Sequence, residues 1–248
     1  MDAIRNCCRM AHSMNTGRRM WLKAAVSTLT IVAGIGFEAD TAEAAALTKE
    51  KRDSLTPDQI IELMKKGNAR FRAGKMQPRD FLAQKRASAA GQYPAAVILS
   101  CIDSRAPAEI ILDAGIGDTF NARVAGNVSN PDILGSLEFA CAASGAKVVL
   151  VMGHTSCGAI KGAIDNVQLG NLTGLLDQIK PAVEATQYTG ERSSKNLAFV
   201  DAVARTNVQQ TITSIRNGSP TLHDLESKGQ IKIVGAMYEL NGGEVKFL

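Results

Sequence analysis

The stretches Ala95-Ala-Val-Ile-Leu-Ser-Cys-Ile-Asp-Ser-Arg105 and Lys147-Val-Val-Leu-Val-Met-Gly-His-Thr-Ser-Cys157 share one construction. Each begins as an apolar run of strand length and ends in a polar cluster that carries thiol, imidazole or carboxylate groups. Runs that stay apolar without alternating belong to strands buried on both faces, as in parallel sheets covered by helices. The segments between them alternate in kind: strand 95–101, helix about 107–113, strand 119–124, helix about 132–144, strand 147–153, then a helix opening near Cys157. This rhythm predicts an α/β fold, with a mostly parallel central β-sheet flanked by α-helices. Both clusters then sit where a strand ends, which is where open α/β sheets bind ligands.

Further along, helices are expected over about 171–186, 195–217 and 221–228. Ile231–Met237 reads as a strand, and Glu244–Leu248 as a terminal one after an Asn241-Gly-Gly243 turn. Upstream, Thr56-Pro57 offers an N-cap and a first helical position, and Ile60, Ile61, Leu63, Met64 and Phe71 recur at helical spacing to Gly74. A short helix follows from Asp80 to about Ala90. Residues 45–54 read as a short charged lead-in. There is no repeat or low-complexity linker, so residues 45–248 are expected to form one domain.

The first 44 residues differ from the rest. Gly17-Arg-Arg-Met-Trp-Leu-Lys23 precedes a mildly apolar stretch from Ala24 to Phe37, and Ala42-Glu43-Ala44 has the small-residue pattern of a cleavage site. The pair Arg18-Arg19 ahead of a weakly apolar core resembles a twin-arginine export signal. The stretch is shorter than the ~20 residues that span a bilayer, so no stable membrane span is expected. Export to the periplasm by the twin-arginine machinery, with cleavage near Ala44, is the expectation. The formal charge of +4 is slight for 248 residues, and no basic stripe with interleaved aromatics appears. That composition argues against nucleic-acid binding.

Beyond the signal three cysteines remain, Cys101, Cys141 and Cys157. An odd number does not suit a disulfide framework. Cys141 lies in Leu137-Glu-Phe-Ala-Cys-Ala-Ala and reads as a core residue of a helix. Cys101, His154 and Cys157 form a Cys2His set suited to one zinc ion, which leaves a fourth tetrahedral position open. Water there makes the site catalytic; Asp103 there closes it. At a strand end, residues i and i+2 point the same way, so Cys101 and Asp103 are expected to share a face while Ile102 enters the core. Arg105 can then pair with Asp103. Buried thiols without metal, or a purely structural zinc, are the alternatives. An Asp beside an Arg is an odd fourth ligand for a structural site.

These residues resemble the β-class carbonic anhydrases. The resemblance covers roughly residues 56–248 and rests on Gly91-Gln-x-Pro94, Cys101-x-Asp-Ser-Arg105, Gly117-Asp-Thr-Phe120, Arg123-Val-Ala-Gly-Asn127, Gly135-Ser-Leu-Glu-Phe139 and Gly153-His-x-x-Cys-Gly158. It implies reversible hydration of carbon dioxide to bicarbonate and a proton, by hydroxide on one zinc per subunit. It makes Cys101, His154 and Cys157 the ligands and Asp103–Arg105 the catalytic dyad, with Asp103 a fourth ligand only in a closed state. It also implies substrate contacts from the Gln92 amide, the Phe120 ring and the Gly158 backbone. In the family the glutamine and phenylalanine come from a neighbouring subunit, which implies a homodimer or a higher even oligomer.

Two departures stand out. Phe139 replaces a tyrosine that often lines the pocket. Ile98 falls where some members carry a tryptophan beside an allosteric bicarbonate site, so an open, Asp–Arg-paired centre is expected at neutral pH. No proton-shuttle histidine is evident, since His12 and His223 are the only others. Hydrolysis of carbonyl sulfide or carbon disulfide on the same fold, and a non-catalytic zinc-binding assembly module, are the competing functions.

Overall fold

The computed structural model describes residues 46–248, so the export signal read over residues 1–44 lies outside the described residues. β1 (Ala96–Ser100), β2 (Thr119–Arg123), β3 (Val148–His154), β4 (Lys232–Tyr238) and β5 (Val245–Phe247) make one sheet in the order β2-β1-β3-β4-β5. The first four run parallel, and β5 returns antiparallel along β4. Helices cover both faces, as the alternation of the sequence predicts. Among the described residues no helix is long and apolar enough to cross a membrane.

Every residue of β1 and β3 is buried. Their alternating side chains divide the core in two. Val97, Leu99, Val149 and Val151 pack with Phe199, Val200, Val203 and Val208 of the helix Leu197–Gly218. Ala96, Ile98, Val148, Leu150 and Met152 pack with Ile60, Ile61 and Met64 of the helix Pro57–Arg72. Each fully buried Leu or Ile contributes about 1.5–3 kcal/mol, so these two strands anchor the domain. The long helix lies close to the sheet because two strand positions lack a side chain. A Cβ on Gly153 would stand 2.7 Å from Val208 Cγ2, and one on Gly235 would stand 2.8 Å from Val208 Cγ1.

The structure corrects four local expectations. Residues 45–54 are more than a lead-in: Lys49–Ser54 is a helix capped by the Thr48 hydroxyl. It is anchored by buried Arg52, which donates to the Ser144 carbonyl 92 residues away, a contact that no local pattern announces. The expected helix over 171–186 is two helices, Gly170–Asp177 and Lys180–Ala185. Pro181 has no N–H and its ring would clash with the Asp177 carbonyl, which breaks a continuous helix there. The segment 132–144 is an α-helix, Pro131–Glu138, that widens into a π-helical turn over Phe139–Ala143. Finally, β3 runs one residue beyond the expected strand and includes His154, paired in register with Tyr238.

Gly67 offers a test of this packing. A Cβ there would lie 1.9 Å from the Leu112 carbonyl oxygen, a backbone atom that cannot swing away, whereas Gly174 has open space around it. In urea denaturation, Gly67→Ala is expected to destabilise by about 1–3 kcal/mol or more. Gly174→Ala is expected to shift stability by less than about 1 kcal/mol. Equal, small effects at both positions would refute the close approach.

Candidate metal centre

β1 and β3 are neighbours with Ser100 opposite Met152, so the residues that follow them leave the sheet side by side. Cys101, the first residue past β1, remains on the face of Val97 and Leu99 and is buried with them. His154 closes β3, and Cys157 caps the helix Gly158–Ile164. The two sulfurs and the histidine nitrogen lie within 4.8 Å of one another, and all three residues are buried. The sulfurs are 4.0 Å apart.

The geometry fits a tetrahedral zinc ion, whose thiolate ligands stand about 3.8 Å apart when each bond is about 2.3 Å. His154 Nε2 is buried with no hydrogen-bond partner, while Nδ1 donates to the Thr155 carbonyl at 2.9 Å. That bond leaves the Nε2 lone pair free to bind a cation. Hydrogen bonding with Cys157 holds Cys101 well below the ordinary thiol range, helped by His154 and the Gly126 amide and opposed by burial. The same bond, with burial, pushes Cys157 up. For His154 burial is the largest influence and disfavours charge, but the neighbouring Cys101 sulfur, the Thr155 carbonyl and the Asp103 carboxylate outweigh it, so its pKa rises. Cys141 stands apart from the cluster as a core residue, its thiol pushed up to about 12 by burial.

Asp103 flanks the three ligands without joining them. Its Oδ1 accepts from the Arg105 backbone N–H at 2.9 Å and from Nε at 3.0 Å, and its Oδ2 accepts from Nη2 at 2.8 Å. Oδ2 lies 3.8 Å from His154 Nε2. Arg105 holds the Asp103 carboxyl far below the usual carboxylate range, against an opposing effect of burial. Ile102 corrects the expectation that it enters the core: it is 61% exposed, because β1 ends at Ser100 and strand alternation stops there.

The family model for carbonic anhydrase matches residues 96–245. The chain belongs to the β-class carbonic anhydrase family. It is 36% identical over 193 residues to carbonic anhydrase 2 of Mycobacterium tuberculosis, an alignment that covers 75% of this chain and 90% of that one. It is 33% identical over 192 residues to the carbonic anhydrase of Mycolicibacterium smegmatis, with 77% and 92% covered. A tetrameric β-carbonic anhydrase of Sordaria macrospora superimposes with a TM-score of 0.58 at 26% identity, covering 64% of this chain and 83% of that one.

The other residues singled out from the resemblance to carbonic anhydrases fall in different places. Gly158 opens the helix that Cys157 caps, beside the ligands. Gln92 is exposed and precedes β1, at the opposite end of the strand from Cys101. The whole of β1 lies between them. Phe120 pairs in register with Val97, four residues before Cys101, and meets Phe139 edge-on at 6.1 Å between ring centroids.

Three supporting residues were not assigned roles from the sequence. Arg123, at the end of β2, donates to the carbonyls of Cys101 (2.9 Å) and Asp103 (2.6 Å), tying down the loop that carries both. The Gly126 N–H points at Cys101 Sγ at 3.3 Å, and Asn207 donates to the Gly126 carbonyl at 2.7 Å. Gly126 has a φ of +71°, and a Cβ there would stand 2.5 Å from Ile179 Cδ1, so any side chain would strain this turn. Arg123 and Gly126 lie in a motif on which the resemblance rests, but their partners become visible only in three dimensions.

Proposed function

We propose that this chain is a zinc-dependent carbonic anhydrase that interconverts carbon dioxide and bicarbonate. The observation that carries the reading is the buried Cys101, His154, Cys157 cluster with an Arg-held carboxylate at its side, in a member of this family. Cys101 Sγ, Cys157 Sγ and His154 Nε2 would hold one zinc ion. When bound, zinc supplies a Lewis acid that brings the pKa of water towards neutrality.

The protein groups do the rest. Both oxygens of Asp103 are engaged by Arg105, which keeps the carboxylate off the ligand position and fixes its direction. Because Asp103 stays ionised well below neutral pH, it accepts a hydrogen bond from the attacking water and does not donate one. That aims the lone pair of the nucleophile at the substrate. Arg123 holds the backbone on either side of Ile102, so the carboxylate and Cys101 keep a fixed separation. The relatives named carbonic anhydrase favour carbon dioxide over carbonyl sulfide or carbon disulfide, and an assembly module would have no use for an Asp103–Arg105 pair.

The substrate pocket is completed, in this reading, by Gln92 and Phe120 of a second copy in a homodimer or higher even oligomer. Leu82, Ile102 and Ile110 are each more than half exposed, apolar surface that a second copy would bury. The precursor is read as exported to the periplasm by the twin-arginine route, on the strength of Arg18-Arg19 and Ala42-Glu43-Ala44.

Stopped-flow carbon dioxide hydration, measured with zinc content, tests the main reading. Asp103→Asn is expected to retain one zinc per chain and lose about 10²-fold or more in turnover. Cys157→Ser is expected to lose both metal and activity. A zinc-loaded wild type that is inactive between about pH 7 and 9 would sink the proposal. Sedimentation velocity tests the second copy: an even oligomer is expected, and a fully active monomer would overturn it. Replacing Arg18-Arg19 by Lys-Lys is expected to block periplasmic delivery, and unchanged delivery would refute the twin-arginine route.

A further inference from the structure

Ser156 lies between two of the proposed ligands, His154 and Cys157, with a φ of +54°. The other non-glycine residues with positive φ among the described residues are Asp113, Asn127 and Asn166. Asp and Asn visit this region because their side chains bond locally; serine lacks that allowance, and the conformation costs of order 1–3 kcal/mol unless the surroundings hold it. Here they do: Asp201 Oδ1 accepts from the Ser156 N–H at 2.7 Å, across 45 residues of chain.

The Ser156 N–H and the Thr155 carbonyl belong to one peptide unit, and that carbonyl accepts from His154 Nδ1 at 2.9 Å. A peptide is planar, so its two ends cannot turn independently. The Asp201 carboxylate is thereby joined to the His154 imidazole through a single rigid group. Other contacts hold different parts of the loop: the Thr155 N–H donates to the Tyr238 carbonyl at 3.0 Å, and the Leu240 N–H donates to Thr155 Oγ1 at 3.0 Å. The same helix, Leu197–Gly218, supports the other side of the cluster through Asn207, Gly126 and Cys101.

We infer that Asp201 is a positioning residue for the metal centre, clamping the Thr155–Ser156 peptide so that His154 keeps its ring orientation and Nδ1–H tautomer while Cys157 faces Cys101. This rests on the zinc reading above. Metal-bound histidines commonly donate their second nitrogen to a carboxylate or a carbonyl; here a carbonyl takes the proton and a carboxylate holds that carbonyl in place.

Zinc affinity of the metal-free protein, measured by competition with a chelator, tests the inference without recourse to activity; the absorption spectrum of the cobalt-substituted protein reports ligand geometry. Asp201→Ala is expected to weaken zinc binding by about 10–100-fold and to alter the cobalt spectrum. Asp201→Asn, which keeps an acceptor at Oδ1, is expected to restore both close to wild type. Ser156→Gly is expected to reduce the cost of Asp201→Ala, because glycine adopts positive φ freely. Folding of each variant is read by circular dichroism, and if Asp201→Ala does not fold alone, Asp201→Ala on the Ser156→Gly background supplies the comparison. Wild-type zinc affinity in a folded Asp201→Ala chain overturns the inference, as does a folded Asp201→Asn chain that binds as poorly as Asp201→Ala. A wild type that takes up no zinc overturns the metal-centre reading, and this inference with it.

Discussion

Three buried ligand atoms within 4.8 Å of one another set the terms for everything around them. Packed this closely as neutral groups, they leave the buried His154 Nε2 without a partner. As anions, the two sulfurs would repel in a site with little water to screen them. A divalent cation removes both difficulties at once and binds as the thiol protons leave. The fold must therefore bring the ligands together and hold them there before any metal arrives.

It does so with backbone. The register of β1 against β3 delivers Cys101 and His154 to adjacent strand ends, and Cys157, three residues after His154, caps the next helix. Arg123 and the Gly126 amide then restrain Cys101, and the paired His154 and Tyr238 fix the end of β3. The long helix seated on Gly153 and Gly235 supplies Asn207 and Asp201 to opposite sides of the cluster. Metal ligands and apolar core are one construction here, because Cys101 and Cys157 lie in the same packed cluster as Phe199 and Val208.

The strands and most helices were legible because their signals are local. Thr56 and Gln59 form a capping box around Pro57, and the apolar runs of β1 and β3 have strand length. The helix Lys49–Ser54 was not legible, because its anchor at Ser144 lies far off in the chain. Ile102 is exposed because β1 stops at Ser100, beyond which strand alternation no longer sets the face of a residue. The ligand trio could be named from residue type and spacing. Arg123, Asn207 and Asp201 could not, because each acts on the backbone of a residue far away in sequence, and that leaves no spacing to read.

By itself, the sequence determined the α/β class, the buried parallel strands and the set of groups able to bind a metal, since periodicity and side-chain chemistry are properties of neighbours in the chain. Only the tertiary structure decided that Arg105 engages both oxygens of Asp103, that Gln92 sits at the opposite end of β1 from Cys101, and that one peptide unit links Asp201 to His154. Those are matters of direction and distance between elements. They are settled when sheet register and helix packing bring together residues that the sequence keeps far apart.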